Sequence, residues 1–230
     1  TYTVQVSGAR DASGNTMAPV SWSFQTAGEP PPGIADGPGG PIAVVTSNGN
    51  PSSTYLTEIM RAEGLNEFSN LRVNALDAAA LAPYAVVVLG DVAITDAQVA
   101  ALTDWVDAGG NLVAMRPDSR LHGLAGITAQ SGTVADGYVA VNAATEPGAG
   151  ITTDTMQFHG TADRYALAGA TTVATLYSNA TTGTGLPAVT LRSVGVNGGQ
   201  VATFAFDLAR SVIATRQGNL AWAGQNRDGA

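Results

Sequence analysis

The chain contains no cysteine and no lysine, and only two histidines. Without cysteine there is no disulfide, no thiolate metal site and no cysteine nucleophile. A protein without bridges fits an oxidising or a reducing compartment equally. All ten basic residues are arginine, which removes Schiff-base and P-loop chemistry, since both need a lysine amine. Charge is sparse, at 12% of residues, and the formal net charge is −8. That balance argues against a nucleic-acid partner, because phosphate backbones are held by clustered cations. No apolar run reaches the ~20 residues of a membrane-spanning helix. No signal peptide is visible, and a chain opening on Thr1 reads as one that begins inside something larger. No His-x-His or His-x-x-x-His spacing occurs and no Gly-x-Gly-x-x-Gly follows a strand, so neither a metal nor a cofactor is expected.

What is present is apolar and globular: 230 residues, 45% hydrophobic, enough for one sizeable core with an appendage or for two small domains. The most legible stretch is PYAVVVLGDVAITDAQVAALTDWVDAGGNLVAMRP, from Pro83 to Pro117. An apolar run over Tyr84 to Leu89 stops at Gly90. Thr95 with Gln98 three residues on forms a capping box, and Val99, Leu102, Trp105 and Val106 make one helical face. Gly109 ends that helix, and Leu112 to Met115 reads as the next strand. Strand, helix, strand is the unit of a parallel sheet with crossover helices. Such a sheet places its chemistry just past the carboxyl ends of its strands.

The flanks divide the chain. In residues 1–28, Tyr2, Val4 and Val6 alternate with polar residues, DASGN makes a turn, and Val20, Trp22 and Phe24 alternate again, as in a hairpin. Residues 29–41, EPPPGIADGPGGP, have linker composition. The main domain is read as 42–230. It opens with strand Ile42–Thr46 and a helix capped by Asn50 with Pro51 at its first position, then a short strand at Leu71–Val73. After Gly126 the texture turns β-rich, with strands expected at 138–141, 172–177, 188–193 and 200–206, the last two joined as a hairpin through 194–199. Asp207 to Arg216 returns to a helical pattern, and the tail NLAWAGQNRDGA carries Trp222 in no clear element.

The first 28 residues, YTVQVSG, then D-x-x-GN, then WSFQT, resemble the closing strands of bacterial Ig-like domains found in multidomain secreted proteins. Residues 42 to 216 resemble the class I glutamine amidotransferase-like fold. The branch they are most similar to is the non-glutaminase one, with trehalose-utilisation-type proteins and the trimerisation domain of some β-galactosidases. The carrying motifs are YAVVVLGD, VAALTDWVDAGGNLVAMRP and VNGGQVATFAFDLARS. The resemblance implies an α/β fold: a flavodoxin-like, mostly parallel sheet flanked by helices, with a β-rich C-terminal half. It also implies a larger secreted protein of actinobacterial type. Catalytic amidotransferases place a cysteine on the turn after the strand matching Leu112–Met115, where this chain has Arg116-Pro117-Asp118. Glutaminase activity by that route is excluded, because the acyl-enzyme needs a thiolate.

Candidate site residues follow from the strand ends. Asn48 and Asn50 come after the first strand, Asp91 after the third, Arg116 and Asp118 after the fourth, and His122 just beyond; these are ligand-binding candidates. Arg116 is able to clamp an anion bidentately, although a loop-fixing pair with Asp118 is the plainer role. His159, Asp163 and Asp207 are the candidates for catalysis, with N-capping the plainer role for Asp207. Two function classes stay open. One is a non-catalytic extracellular module for assembly or carbohydrate-related binding, whose partners are the other domains of the same polypeptide and carbohydrate. The other is a glycan-directed hydrolase using His159, Asp163, Asp207 and Arg116 in one cleft. Convergence of these side chains on a concave polar pocket separates the two.

Overall fold

A computed structural model describes residues 2–24 and 37–218. The chain divides into two compact units, one up to Gly33 and one from Ile34. The proline- and glycine-rich stretch lies largely outside the described residues, as does the tail with Trp222.

The first unit is an antiparallel hairpin of β1 (Tyr2–Val6) and β2 (Val20–Phe24). Its register pairs Tyr2 with Phe24, Val4 with Trp22 and Val6 with Val20, so the alternating apolar residues meet across one face. The Tyr2 and Phe24 rings stack with centroids 5.6 Å apart. In the connecting loop, Asp11 accepts hydrogen bonds from the backbone of Ser13 and Asn15 and from the Asn15 amide, the Asx-type geometry that DASGN predicts.

The second unit is mixed α/β. Its strands are β3 (Ile42–Thr46), β4 (Phe68–Arg72), β5 (Val86–Leu89), β6 (Asn111–Met115), β7 (Ile127–Ala135), β8 (Tyr138–Val141), β9 (Met156–Gln157), β10 (Thr161–Leu167), β11 (Thr171–Tyr177), β12 (Gly183–Val194) and β13 (Gly199–Phe204). Its helices are α1 (Pro51–Ala62), α2 (Ala78–Leu81), α3 (Asp96–Asp107), α4 (His122–Ala125) and α5 (Leu208–Gln217). Nine strands form one sheet in the order β4-β3-β5-β6-β13-β12-β11-β8-β9. The pairings from β4 to β13 are parallel and those from β13 to β9 antiparallel. The α/β class expected from the sequence is present, but the sheet is mixed rather than mostly parallel. An antiparallel extension, β12-β11-β8-β9, continues it beyond β13. β7 and β10 pair separately as a two-stranded ribbon.

Local rules explain the parallel half. Residues 43–45 are all fully buried, Ala43 and Val45 in the cluster beneath α3, Val44 in the cluster beneath α1 and α5. A strand covered on both faces reads as an unbroken apolar run. The Thr95–Gln98 capping box closes in both directions, at 3.3 Å and 2.8 Å. Gly109 adopts φ 115°, and a Cβ on Gly110 would sit 2.4 Å from the Trp105 ring, so this Gly-Gly pair both turns the chain and lets the helix close onto the next strand. Asn50 and Asp207 cap α1 and α5 as expected.

One expected strand needs correction, and one pair of strands has no counterpart in the sequence reading. The short strand read at Leu71–Val73 is Phe68–Arg72, and Val73 opens a 3₁₀ turn. Polar Ser69 and Asn70 belong to the strand because it is half-covered: Asn70 accepts a 2.6 Å bond from the Thr46 hydroxyl of its neighbour. The ribbon of β7 and β10 carries no alternation a sequence reading would detect. β7 is exposed along most of its length. In β10 the register shifts at Asp163/Arg164, so the two buried residues, Ala162 and Tyr165, stand three apart instead of two.

Candidate functional site

Parallel strands all end at the same edge of a sheet, and here four adjacent ones deliver polar residues to it. Asn50 follows β3, Asp91 follows β5, Arg116 follows β6 and Asp207 follows β13. The chain leaves β3 toward β4 on one side and returns to β5 on the other, so this edge is also where the strand order reverses. The fifth contribution comes from β10. Its Asp163 N–H donates to the Ala205 carbonyl at 2.8 Å, just past the end of β13, which carries Asp163, Thr161 and His159 to the same edge. The result is a polar cavity of about 340 Å³ lined by Gly49, Asn50, Asp91, Arg116, His159, Thr161, Asp207 and Arg210.

Arg116 organises it. Its Nε and Nη2 donate to the two oxygens of Asp163 at 3.2 and 3.1 Å, and its Nη1 donates to Asp91 Oδ2 at 2.8 Å. The Tyr165 hydroxyl donates to Asp163 Oδ2 at 3.2 Å. Burial pulls the guanidinium pKa down, but bonding to Asp163 and the charges of Asp163 and Asp91 outweigh it, and the net direction is up. The backbone at Arg116 is left-handed, with φ 44°, a conformation that strains any residue with a side chain. The strain falls at the end of the strand whose loop carries the arginine into the cavity.

Asp91 moves the other way. Burial raises its carboxyl pKa above the usual range; Arg116 opposes the rise, while the charges of Asp207 and Asp163 add to it. Asn50 ties the edge together. Its carbonyl accepts from the Ser52 N–H at 3.0 Å as the α1 cap, and its amide donates to the Asp91 carbonyl at 2.9 Å and to Asp207 Oδ2 at 3.1 Å. Asp207, only 7% exposed, accepts that bond and the Arg210 N–H at 3.0 Å. It caps α5 and faces the cavity at once. His159 is buried, its backbone N–H bonded to the Ser211 hydroxyl at 3.1 Å and its Nδ1 4.0 Å from Asp136.

Of the candidates read from the sequence, Asn50, Asp91, Arg116, His159 and Asp207 line one cavity, and Asp163 braces its arginine. Three stand elsewhere. Asn48 accepts a 3.0 Å bond from Arg72 at the β3–β4 edge. Asp118 pairs with Arg120, not with Arg116; those bonds and the cap it forms lower its carboxyl to about 2. His122 packs edge-on against Tyr165, centroids 5.3 Å apart, behind the cavity wall. Gly49 belongs to the loop that the sequence places after the first strand, Thr161 escapes the sequence reading, and Arg210 is assigned no role by it. The first two sit beside named candidates, and Arg210 lies one helical turn beyond Asp207 with no motif around it. Among the described residues no group of His, Asp and Glu has the grouping to hold a metal ion, and no helix is long and apolar enough to cross a membrane.

No family model matches the sequence, and no curated protein does. Solved structures share the fold at low identity. A cold-adapted β-galactosidase from Rahnella sp. R3 superposes with TM-score 0.56 at 17% identity, covering 77% of this chain and 31% of that one. An exo-β-1,4-mannosidase from Opitutaceae bacterium strain TAV5 gives 0.56 at 16%, covering 80% and 34%. The chain therefore spans about a third of the length of these two enzymes. A cytoplasmic protein from Salmonella typhimurium LT2 gives 0.54 at 12%, covering 96% and 90%.

Proposed function

We propose that this chain is a non-catalytic, carbohydrate-binding module of a larger extracellular multidomain protein, with the cavity at the carboxyl ends of β3, β5, β6 and β13 as its ligand site. The observation that carries the reading is Arg116. In the amidotransferase-like family the chain resembles, the turn after this strand holds the nucleophile. Here it holds an arginine whose nitrogens are committed to Asp91 and Asp163. A guanidinium is no nucleophile, and one already bonded to two carboxylates has little left for a transition state. Around it stand amide, hydroxyl and carboxylate groups, the donors and acceptors that hydroxyl-rich ligands need. That two proteins of this fold are glycosidases by name supports a sugar as the ligand. The hairpin of residues 2–24 fits the end of a preceding Ig-like domain.

Isothermal titration of the protein against mono- and oligosaccharides tests the reading. Saturable binding that Asn50→Ala weakens at least tenfold supports it, and absence of binding to any sugar refutes it.

A hydrolase remains the second reading because Arg116, His159 and Asp207 converge on one polar cavity, with Asp163 bonded to the arginine, and because the carboxylates there differ in environment. Asp91 and Asp207 line the same cavity, and Asp91 is pushed up by burial. Carboxylates in unlike environments divide acid and base roles in glycoside hydrolysis. Release of reducing sugar that Asp91→Asn abolishes, without loss of binding, selects this reading over the first.

A further inference from the structure

Which hydroxyl-rich ligand the cavity prefers follows from which of its groups are already spent. Asp163 is occupied by Arg116 and Tyr165. Asp207 is occupied by Asn50 and the Arg210 backbone. Arg116 is divided between Asp163 and Asp91. What faces the cavity without a hydrogen-bond partner among the described residues is the Arg210 guanidinium, the Thr161 hydroxyl and the second oxygen of Asp91. One cation, one hydroxyl and one acceptor are therefore left for a ligand.

The Arg210 side chain is seated. Its backbone N–H is fixed by Asp207, and its stem lies against Gly160, where a Cβ would come 3.2 Å from Nε and 3.3 Å from Cδ. Gly160 also has φ 94°, so any side chain there would meet both strain and the arginine. A glycine at 160 leaves room for the guanidinium at the cavity wall.

Resting on the carbohydrate reading above, we propose that the ligand is an acidic sugar: a hexuronate whose carboxylate meets the fork of Arg210 while neighbouring hydroxyls bond to Thr161 and Asp91. A planar guanidinium matches a carboxylate bidentately. The net charge of −8 repels a polyanion, which favours a ligand with one acid group at the site. A sugar phosphate monoester presents a similar anion, so the test must separate the two.

The experiment titrates the protein, by calorimetry, with the monosaccharides galacturonate and glucuronate, which carry one carboxylate each, with galactose and glucose as their neutral counterparts, and with a hexose phosphate. The expected result is at least tenfold tighter binding of the uronates than of the neutral sugars. Arg210→Gln should erase that difference, and Gly160→Ala should reduce it by displacing the arginine. Circular dichroism confirms that both variants are folded. Equal affinity for acidic and neutral sugars, or a preference that survives Arg210→Gln, overturns the acidic-sugar assignment and leaves the carbohydrate reading standing. Preference for the phosphate ester overturns the hexuronate in favour of a phosphorylated sugar. Failure of every sugar to bind refutes both.

Discussion

The two halves of the large sheet build cavities of opposite character. At the parallel half, the strand ends enclose about 340 Å³ walled by carboxylates, arginines and an amide. Over the antiparallel extension, beside α5, lies a larger space of about 580 Å³ walled by residues such as Val139, Val141, Val189, Phe204, Phe206 and Leu208. Strand direction explains the difference. Parallel strands turn into loops at one common edge, so their polar turn residues converge there. Antiparallel strands send successive turns to opposite edges, and the surface they leave between helices is their apolar face. The larger space is walled by apolar side chains, and the smaller one gathers the polar ones.

Mutations that act on one half and spare the other would break or sharpen this contrast. The largest effect belongs to the antiparallel half. Leu176 in β11 is fully buried, and Leu176→Ala should lower stability by about 2–5 kcal/mol in urea unfolding. Sugar affinity of the folded fraction should stay unchanged, since β11 sends no residue to the polar cavity. A parallel loss of binding would show the halves are coupled.

Next is Arg116→Ala, which strands two carboxylates beside each other. The partners are about a third exposed, so solvent screening reduces the loss to about 1–3 kcal/mol. Sugar binding should fall with it. Arg116→Gly should recover about 1 kcal/mol of that loss, because glycine relieves the left-handed backbone. Equal midpoints for the two variants would remove the argument from strain.

Acid titration separates two carboxylates of opposite sign. Asp118 sits below its ordinary 3.8, at about 2, so its contribution is present above pH 3.8 and is lost as pH falls toward 2. The stability gap between the protein and Asp118→Asn should close over that window. Asp91 sits above 3.8, so its ionisation opposes folding at neutral pH, and that opposition is relieved as pH falls through its folded value. Relative to Asp91→Asn, the protein should gain stability on acidification into that range; a gap independent of pH would contradict the burial of this carboxyl. The smallest effect is expected at the mouth of the apolar space. Ile151 is 47% exposed, and Ile151→Ser should change stability by about 0.5 kcal/mol or less.

The legible parts of the molecule are those whose signals are local. The Thr95–Gln98 box, the Gly109–Gly110 stop, the caps at Asn50 and Asp207 and the unbroken apolar strands lie within a few residues of what they control. Position alone also named Asn50, Asp91 and Arg116, because residues past parallel strand ends share an edge. The ribbon of β7 and β10 stayed hidden because its bulge breaks the two-residue period, and with it went the route by which Asp163 reaches Arg116.

Left to itself, the sequence settles the α/β class of the second unit, most of its parallel strands and the absence of cysteine. Partnership belongs to the tertiary structure. Asp118, two residues from Arg116, is its nearest acid in sequence, yet Arg116 pairs with Asp91 and Asp163, which lie 25 and 47 residues away. A left-handed turn aims the arginine back over the strand ends, whereas Asp118 runs on into the next turn and meets Arg120. Side-chain direction at a turn depends on backbone angles set by the whole sheet, and proximity along the chain carries little information about it.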